Sequence, residues 1–284
     1  MKKIFVPYDF SENASNTLVY ALKLAASAGL QMTVFHALAI SAKIMAAPVT
    51  EDKRKEVISK EETDKTQELK QEVEMLMQVA NAGLSSDRVT CKVNFGPIVV
   101  ENIIYAAEEE GADLIVMGTH GASGLKKFLF GSVTSSVISK SSIPVLAVPN
   151  EYVFSEIKSI AYASDLENPD AEISRILPFS QALHAGVRIL HYDYGFKKQD
   201  EVSPLLNKYP ATELVVKKAD SSITLLKQIR QFIMETHPQW IVMFTRERSM
   251  WDKLFMSSKT EEMATALEIP LLSFRKEGEE GSGK

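Results

Sequence analysis

A single cysteine, Cys91, stands in a chain of 284 residues, so no intrachain disulfide framework can form, and a reducing compartment is expected. Glycine is sparse, with 13 in the whole chain. No apolar run approaches the length of a membrane span, and the apolar stretch after Met1 stops at Asp9, too short for the core of a secretory leader. A basic surplus is missing too: the net charge is -5, which gives no electrostatic footprint for nucleic acid or an anionic membrane. What remains is 45% hydrophobic and 24% charged, the profile of a globular protein with a real core, here expected to be cytoplasmic.

The strongest internal signal is a repeat. DLIVMGTHGASGLKKFLFGSVT at 113–134 aligns without a gap on QWIVMFTRERSMWDKLFMSSKT at 239–260, and the same offset carries Ile143-Pro144 onto Ile269-Pro270. IFVPYDFSEN at 4–13 resembles IAYASDLEN at 160–168, with Asp9 over Asp165, and TVFHA around His36 resembles RILHY around His191. Two domains follow, 1–149 and 150–276, with residues 277–284 too polar to join a core and expected to be a disordered tail.

Within each half, short apolar strands alternate with helical periodicity, which predicts a parallel sheet covered on both faces, and right-handed crossovers make it doubly wound. In the first half KIFVPYD is a strand, and the following helix has Ser11 as its N-cap and Gly29 as its stop. QMTVFHAL is a second strand. Residues 41–60 read as an irregular charged stretch leading into a long helix that ends near Ala82. RVTCKVNFG is a third strand, and Pro97 stands early in the next helix.

Against this scarcity, four glycines, Gly118, Gly121, Gly124 and Gly131, gather in MGTHGASGLKKFLFGSVT, between an apolar strand and a helix that starts near Ser132. Neither the Gly-Lys-Ser/Thr ending of a P-loop nor the G-x-G-x-x-G of a dinucleotide site is present. The physics those motifs use is available all the same. Glycine lets a ligand approach the backbone, and a helix start offers N–H groups and the positive end of a dipole. The same residues would also serve as a strand end, a turn and an ordinary cap, and both readings stand at this level. Position favours a site, because Asp9, Ala37 and Gly118 each follow a strand and would converge where a parallel sheet binds ligands.

VPYDFS at 6–11, FHA at 35–37 and the spacing G-x2-G-x9-G-S, met by Gly118, Gly121, Gly131 and Ser132, resemble the universal stress protein family over nearly the whole chain. The resemblance implies two tandem five-stranded parallel sheets of order 3-2-1-4-5 related by a pseudo-two-fold, the adenine nucleotide alpha hydrolase-like fold. It also implies ATP, or AMP or ADP, at the strand ends of the first half, with Mg²⁺ bridging the phosphates. Carried over by motif, Asp9 would hold the ribose, Pro7 and the Ala37 backbone would lie beside the adenine, and Gly118, Gly121, Gly131, Ser132 and Val133 would cradle the phosphates. Gly124 falls outside the pattern. His120, Lys126 and Lys127 read as loop residues, His36 and His191 as structural histidines, and Cys91 as buried and inert.

In the second half the alignment places Phe244 at Gly118, Glu247 at Gly121 and Ser257 at Gly131, leaving Ser258 and Asp165. A bulky side chain and a carboxylate both oppose a phosphate, so the second site is expected to be lost. Arg246 and Arg248 leave open another anion. The last strands, 143–149 and 269–275, are expected to pair within the chain and so seal two exposed edges. Three functional readings follow: a nucleotide-dependent binding protein of stress response, a slow ATPase or phosphotransferase, and a nucleotide-free interaction module. A protein partner or a homodimer is compatible with all three.

Overall fold

The computed structural model describes residues 1–38, 50–119, 131–195, 207–245 and 268–276. The chain divides into two compact units, with the division in sequence at Val145 and Leu146.

The first unit opens with β1 (Lys3–Pro7), whose three central residues are fully buried. Helix α1 (Glu12–Ala28) begins at Ser11, whose hydroxyl accepts the Ala14 N–H at 3.2 Å. It ends at Gly29, which takes a left-handed φ of 63° and returns its N–H to the Ala25 and Ala26 carbonyls. After β2 (Gln31–Leu38) comes α2 (Glu51–Ala80), a helix of 30 residues. Part of the stretch expected to be irregular, from 51 to 60, is therefore helical. Glu51 and Asp52 face the positive end of the dipole, and Glu51 pairs with Lys55 one turn on at 3.1 Å. The unit continues with β3 (Val89–Phe95), α3 (Val99–Glu109), β4 (Leu114–Gly118) and α4 (Ser132–Lys140), and the boundary between the units falls inside β5 (Val145–Val148). Pro97 lies ahead of α3 rather than inside it, because Ile98 is extended and serves as the cap.

Strand order is β3-β2-β1-β4-β5, and the β1–β2, β1–β4 and β2–β3 pairs are parallel. Right-handed crossovers place α1 and α2 on one face and α3 and α4 on the other. The order reverses between β1 and β4, so the tips of these two strands splay apart and leave a crevice. Gly96 lies between β3 and α3. A Cβ at that position would lie 2.7 Å from Asn102 Cγ, so only glycine lets the first turn of α3 sit this close to the end of β3.

At the other edge of the sheet, Glu110 binds Lys3 at 2.5 Å, Thr33 Oγ1 at 3.1 Å and Lys92. Burial pushes its carboxyl up, but the hydrogen bonds from Lys3, Lys92 and Thr33 outweigh that and bring it down to about 2. A carboxylate lowered in this way stabilises the fold above its ordinary range, and the contribution disappears as pH falls from about 4.5 through about 2. Glu110→Gln is therefore expected to destabilise the protein at pH 7 and to change little at pH 2, as urea unfolding at the two pH values would report.

The second unit repeats the plan with β6 (Ser159–Ala163), α5 (Pro169–Leu183), β7 (Gly186–Asp193), β8 (Thr212–Lys218), α6 (Leu225–Thr236), β9 (Trp240–Thr245) and β10 (Leu271–Arg275). Its order, β10-β9-β6-β7-β8, is the same arrangement, and all four strand pairs are parallel. Among the described residues no helix is long and apolar enough to cross a membrane.

The repeat extends to backbone detail. The Tyr8 N–H donates to the Phe35 carbonyl at 2.8 Å, and the Ser164 N–H donates to the Leu190 carbonyl at 2.9 Å. The residues after Asp9 and Asp165 are Phe10 (φ 62°) and Leu166 (φ 57°), both left-handed although neither is glycine. Bulky residues adopt that region only where the surroundings impose it. Both halves therefore impose the same turn at the tip of the first strand.

Candidate functional site

The crevice of the first unit contains a cavity of about 380 Å³. Its walls come from the tip of β1 (Pro7, Tyr8, Asp9), the start of α1 (Ala14), the tip of β2 (Phe35, His36, Ala37), the first turns of α3 (Val99, Ile103), the end of β4 (Met117, Gly118) and the start of α4 (Gly131, Ser132, Val133, Thr134). Seven of the eight residues singled out in the sequence, Pro7, Asp9, Ala37, Gly118, Gly131, Ser132 and Val133, are thus brought together on one surface. The eighth, Gly121, lies outside the described residues, as do Gly124, His120, Lys126 and Lys127.

Helix α4 supplies the polar end. Gly131 is its N-cap, and the cap residue forms no side-chain hydrogen bond to the first turn. The Gly131 N–H is held by the Thr119 carbonyl at 2.6 Å, and the Ser135 N–H returns to the Gly131 carbonyl at 3.0 Å. The N–H groups of Ser132, Val133 and Thr134 between them have no intrahelical acceptor, as at the start of any α-helix, and they carry the positive end of the dipole. Thr134 donates its hydroxyl to the Gly118 carbonyl at 2.9 Å, which fastens the start of the helix to the end of β4. Such an end suits an anion.

Another part of the wall is apolar and aromatic. Phe35, Ile103 and Met117 are buried, and Val99 and Ile103 lie one turn apart on α3. This wall, together with Tyr8, Ala14 and Thr134, was not singled out in the sequence. The helical spacing of Val99 and Ile103 was legible, but only the packing of α3 against β2 and α4 turns those side chains into a cavity wall.

Asp9 is exposed at the mouth. One of its oxygens accepts the Ser11 N–H at 3.1 Å and the Ser11 hydroxyl at 2.5 Å, an Asx turn around left-handed Phe10. That turn fixes where the carboxylate stands. Tyr8 is buried, and its hydroxyl meets Ser15 Oγ at 2.8 Å and donates to Glu72 Oε1 at 3.1 Å. Burial, with the Glu72 charge adding to it, pushes this phenol up to about 12, so it remains a donor at neutral pH.

Four histidines have structural explanations. His36 and His191 each place Nδ1 against a carbonyl of the preceding strand tip, Tyr8 at 2.8 Å and Ser164 at 3.0 Å. His184 and His237 close helices α5 and α6 in the left-handed conformation. Among the described residues no group of three His, Cys, Asp or Glu comes together as a metal site. Cys91 is half-buried rather than fully buried, and burial pushes its thiol up to about 11, so little thiolate is available at neutral pH.

At the equivalent positions of the second unit, the described side chains bind one another. Phe244 is buried in a stack with Phe274 at 4.8 Å, has Tyr162 edge-on at 5.6 Å, and carries the Arg175 guanidinium 5.4 Å above its ring. Asp165 keeps the turn, accepting the Glu167 N–H at 3.1 Å, but its other oxygen is bound by Lys276 at 2.6 Å. The Lys276 ammonium also lies 3.2 Å from Glu172 and 3.8 Å from Glu167, and its side chain is only 8% exposed. Glu247, Ser257, Ser258, Arg246 and Arg248 lie outside the described residues.

Comparison with known proteins matches the family model "Universal stress protein family" to residues 1–149. A universal stress protein of Methanocaldococcus jannaschii is 31% identical over 162 residues, covering 52% of this chain and 94% of that protein. Stress response protein NhaX of Bacillus subtilis is 30% identical over 168 residues, covering 51% of this chain and 96% of its own. Among solved structures, a universal stress protein from Archaeoglobus fulgidus aligns over 96% of this chain and 98% of that one, with a TM-score of 0.67 and 20% identity, a likeness of fold.

Proposed function

The chain belongs to the universal stress protein family, and from that membership we propose that its first half is a receptor for an adenine nucleotide, ATP or its mono- or diphosphate relatives. The observation that carries this reading is the cavity itself, lined by apolar side chains, by the open N-terminus of a helix and by one carboxylate. An apolar slot accepts a flat base, a carboxylate accepts ribose hydroxyls, and a helix start receives phosphate. A volume of about 380 Å³ is of the size that small-ligand sites have.

Among the described lining residues Asp9 is the only carboxylate, too few for an all-protein cation cage. Mg²⁺, which binds through one or two carboxylates together with phosphates and water, would therefore be held chiefly by the nucleotide, with Asp9 as the one protein group of suitable charge. The role proposed is binding in stress response by a cytoplasmic protein, with residues 1–149 as the nucleotide domain. No such site is proposed for residues 150–276, where Lys276 binds Asp165 and Phe244 is the residue aligned with Gly118.

Calorimetric titration of ATP, AMP and GTP, each with Mg²⁺, into the wild type and Gly121→Glu tests the reading. Micromolar binding of the adenine nucleotides, at least tenfold weaker for GTP and lost in the variant, is the expected result. Absence of heat for all three nucleotides with the wild type would overturn it. Phosphate release followed in the same samples decides between a receptor and an ATPase.

A further inference from the structure

The long helix α2 exists only in the half that has the glycine motif. In the second unit the connection from Asp193 to Thr212 is too short to hold a helix of 30 residues. The two halves also differ at the residue that would meet such a helix. Tyr8 stands on the cavity wall of the first unit, whereas its counterpart Ser164 turns its hydroxyl onto Tyr162 at 2.9 Å and accepts the Leu166 N–H at 3.1 Å.

Helix α2 is fastened unevenly. Its C-terminal half is held by Leu69, Val73, Leu76 and Ala80, all buried. Polar ties begin inside this anchored stretch, at Glu72, and continue toward the N-terminus beyond Leu69, where the buried residues stop. Tyr8 donates to Glu72, Lys65 stands 4.9 Å over the Phe10 ring, and Glu62 accepts the Phe95 N–H at 2.9 Å at the tip of β3. Beyond Glu62 the helix runs on for about 16 Å with most of its side chains exposed. Two of these ties end on Tyr8 and Phe10, the residues on either side of Asp9.

We propose that helix α2 reads the occupancy of the cavity through the Tyr8–Glu72 hydrogen bond, a proposal that rests on the nucleotide reading above. A ligand seated against the Tyr8 ring and the Asp9 carboxylate favours the arrangement in which that strand tip is in place. The same arrangement presents the Tyr8 hydroxyl to Glu72 and the Phe10 ring to Lys65. A ligand can shift only an equilibrium whose two states it binds unequally, and the strand tip is where it makes that difference. Buried Val73, Leu76 and Ala80 keep the C-terminal turns docked in both states, so the change is confined to the turns from Glu72 toward the N-terminus.

Hydrogen exchange by mass spectrometry on the full chain, with and without saturating MgATP, tests this in the wild type, Glu72→Ala and Glu72→Gln, with calorimetry run in parallel. A coupling at the low end of what linked sites show corresponds to about fivefold slower exchange across residues 51–72 on binding, and by reciprocity to about fivefold weaker binding once the link is cut. Glu72→Ala should therefore lose the protection of α2 and bind MgATP about fivefold more weakly. Glu72→Gln retains an acceptor oxygen and should keep both. Wild type that binds MgATP with unchanged exchange in α2, or Glu72→Ala that keeps full protection, would overturn the coupling and leave nucleotide binding standing. Wild type that gives no heat with MgATP would overturn both.

Discussion

Gly118→Phe is expected to weaken adenine nucleotide binding by at least about 100-fold, roughly 2.7 kcal/mol, while leaving the protein folded. The substitution installs in the first half the residue that the second half has at the equivalent position. Gly118 ends β4, lines the cavity and offers only backbone to a ligand; its carbonyl already holds Thr134 and so fixes the start of α4. A phenyl ring there takes up space between the two strand tips, and neither shortening nor rotating a phosphate chain removes the conflict. Phe244 shows that this fold accommodates phenylalanine at the end of its fourth strand, since it is 4% exposed and stacked on Phe274. Calorimetry measures the loss, and thermal unfolding monitored by circular dichroism separates it from misfolding. A folded variant that binds ATP as tightly as the wild type would remove this cavity from consideration as the nucleotide site.

Lys276→Met should produce the largest loss of stability, about 3 kcal/mol or more at neutral pH. The lysine has three carboxylates around its ammonium, Asp165, Glu172 and Glu167, and a nearly buried side chain. Methionine fills a similar volume but leaves those charges without their counterion, and removing one partner of a buried pair costs more than the pair contributes.

The pH dependence has a definite sign. Burial pushes the Glu172 carboxyl above its ordinary value, against the opposing influence of the Tyr162 hydroxyl and of Lys276. An acid raised in the folded state weakens stability progressively as pH climbs from its unfolded value through its folded one. Without Lys276 the carboxyl rises further, so Lys276→Met should be mildest near pH 4.5 and worst above neutrality. Adding Glu172→Gln should recover part of the loss, because it removes the charge that lost its partner. Additive effects in that double variant, or a loss that does not change with pH, would show that Lys276 and Glu172 act separately.

Pairing lysine with those carboxylates also explains why Asp165 survives in a half with no glycine motif. The Asx turn it closes is the same turn that Asp9 closes, around residues of the same left-handed conformation. Sequence comparison of the halves shows the aspartate retained. The structure separates its two tasks: one oxygen shapes the turn in both halves, and the other is bound by Lys276 in the second.

Chain periodicity and punctuation alone determined the class of fold, the duplication, the ends of α1 and the convergence of Asp9, Ala37 and Gly118. These are legible because they depend on local physics: alternation of apolar runs, caps at Ser11 and Gly29, and the rule that loops at the C-terminal ends of parallel strands share one edge. The helical state of residues 51–60 was hidden, since a charged surface helix has little apolar periodicity and depends on ion pairs and on the turns that follow it. Tertiary structure alone decided the cavity's apolar wall, the reach of Tyr8 to Glu72 across 64 residues, and the arrival of Lys276 at Asp165 across 111. No local pattern encodes those meetings. They arise where strand order reverses and distant segments are brought to the same edge of a sheet, and this is also where the chemistry of the protein is concentrated.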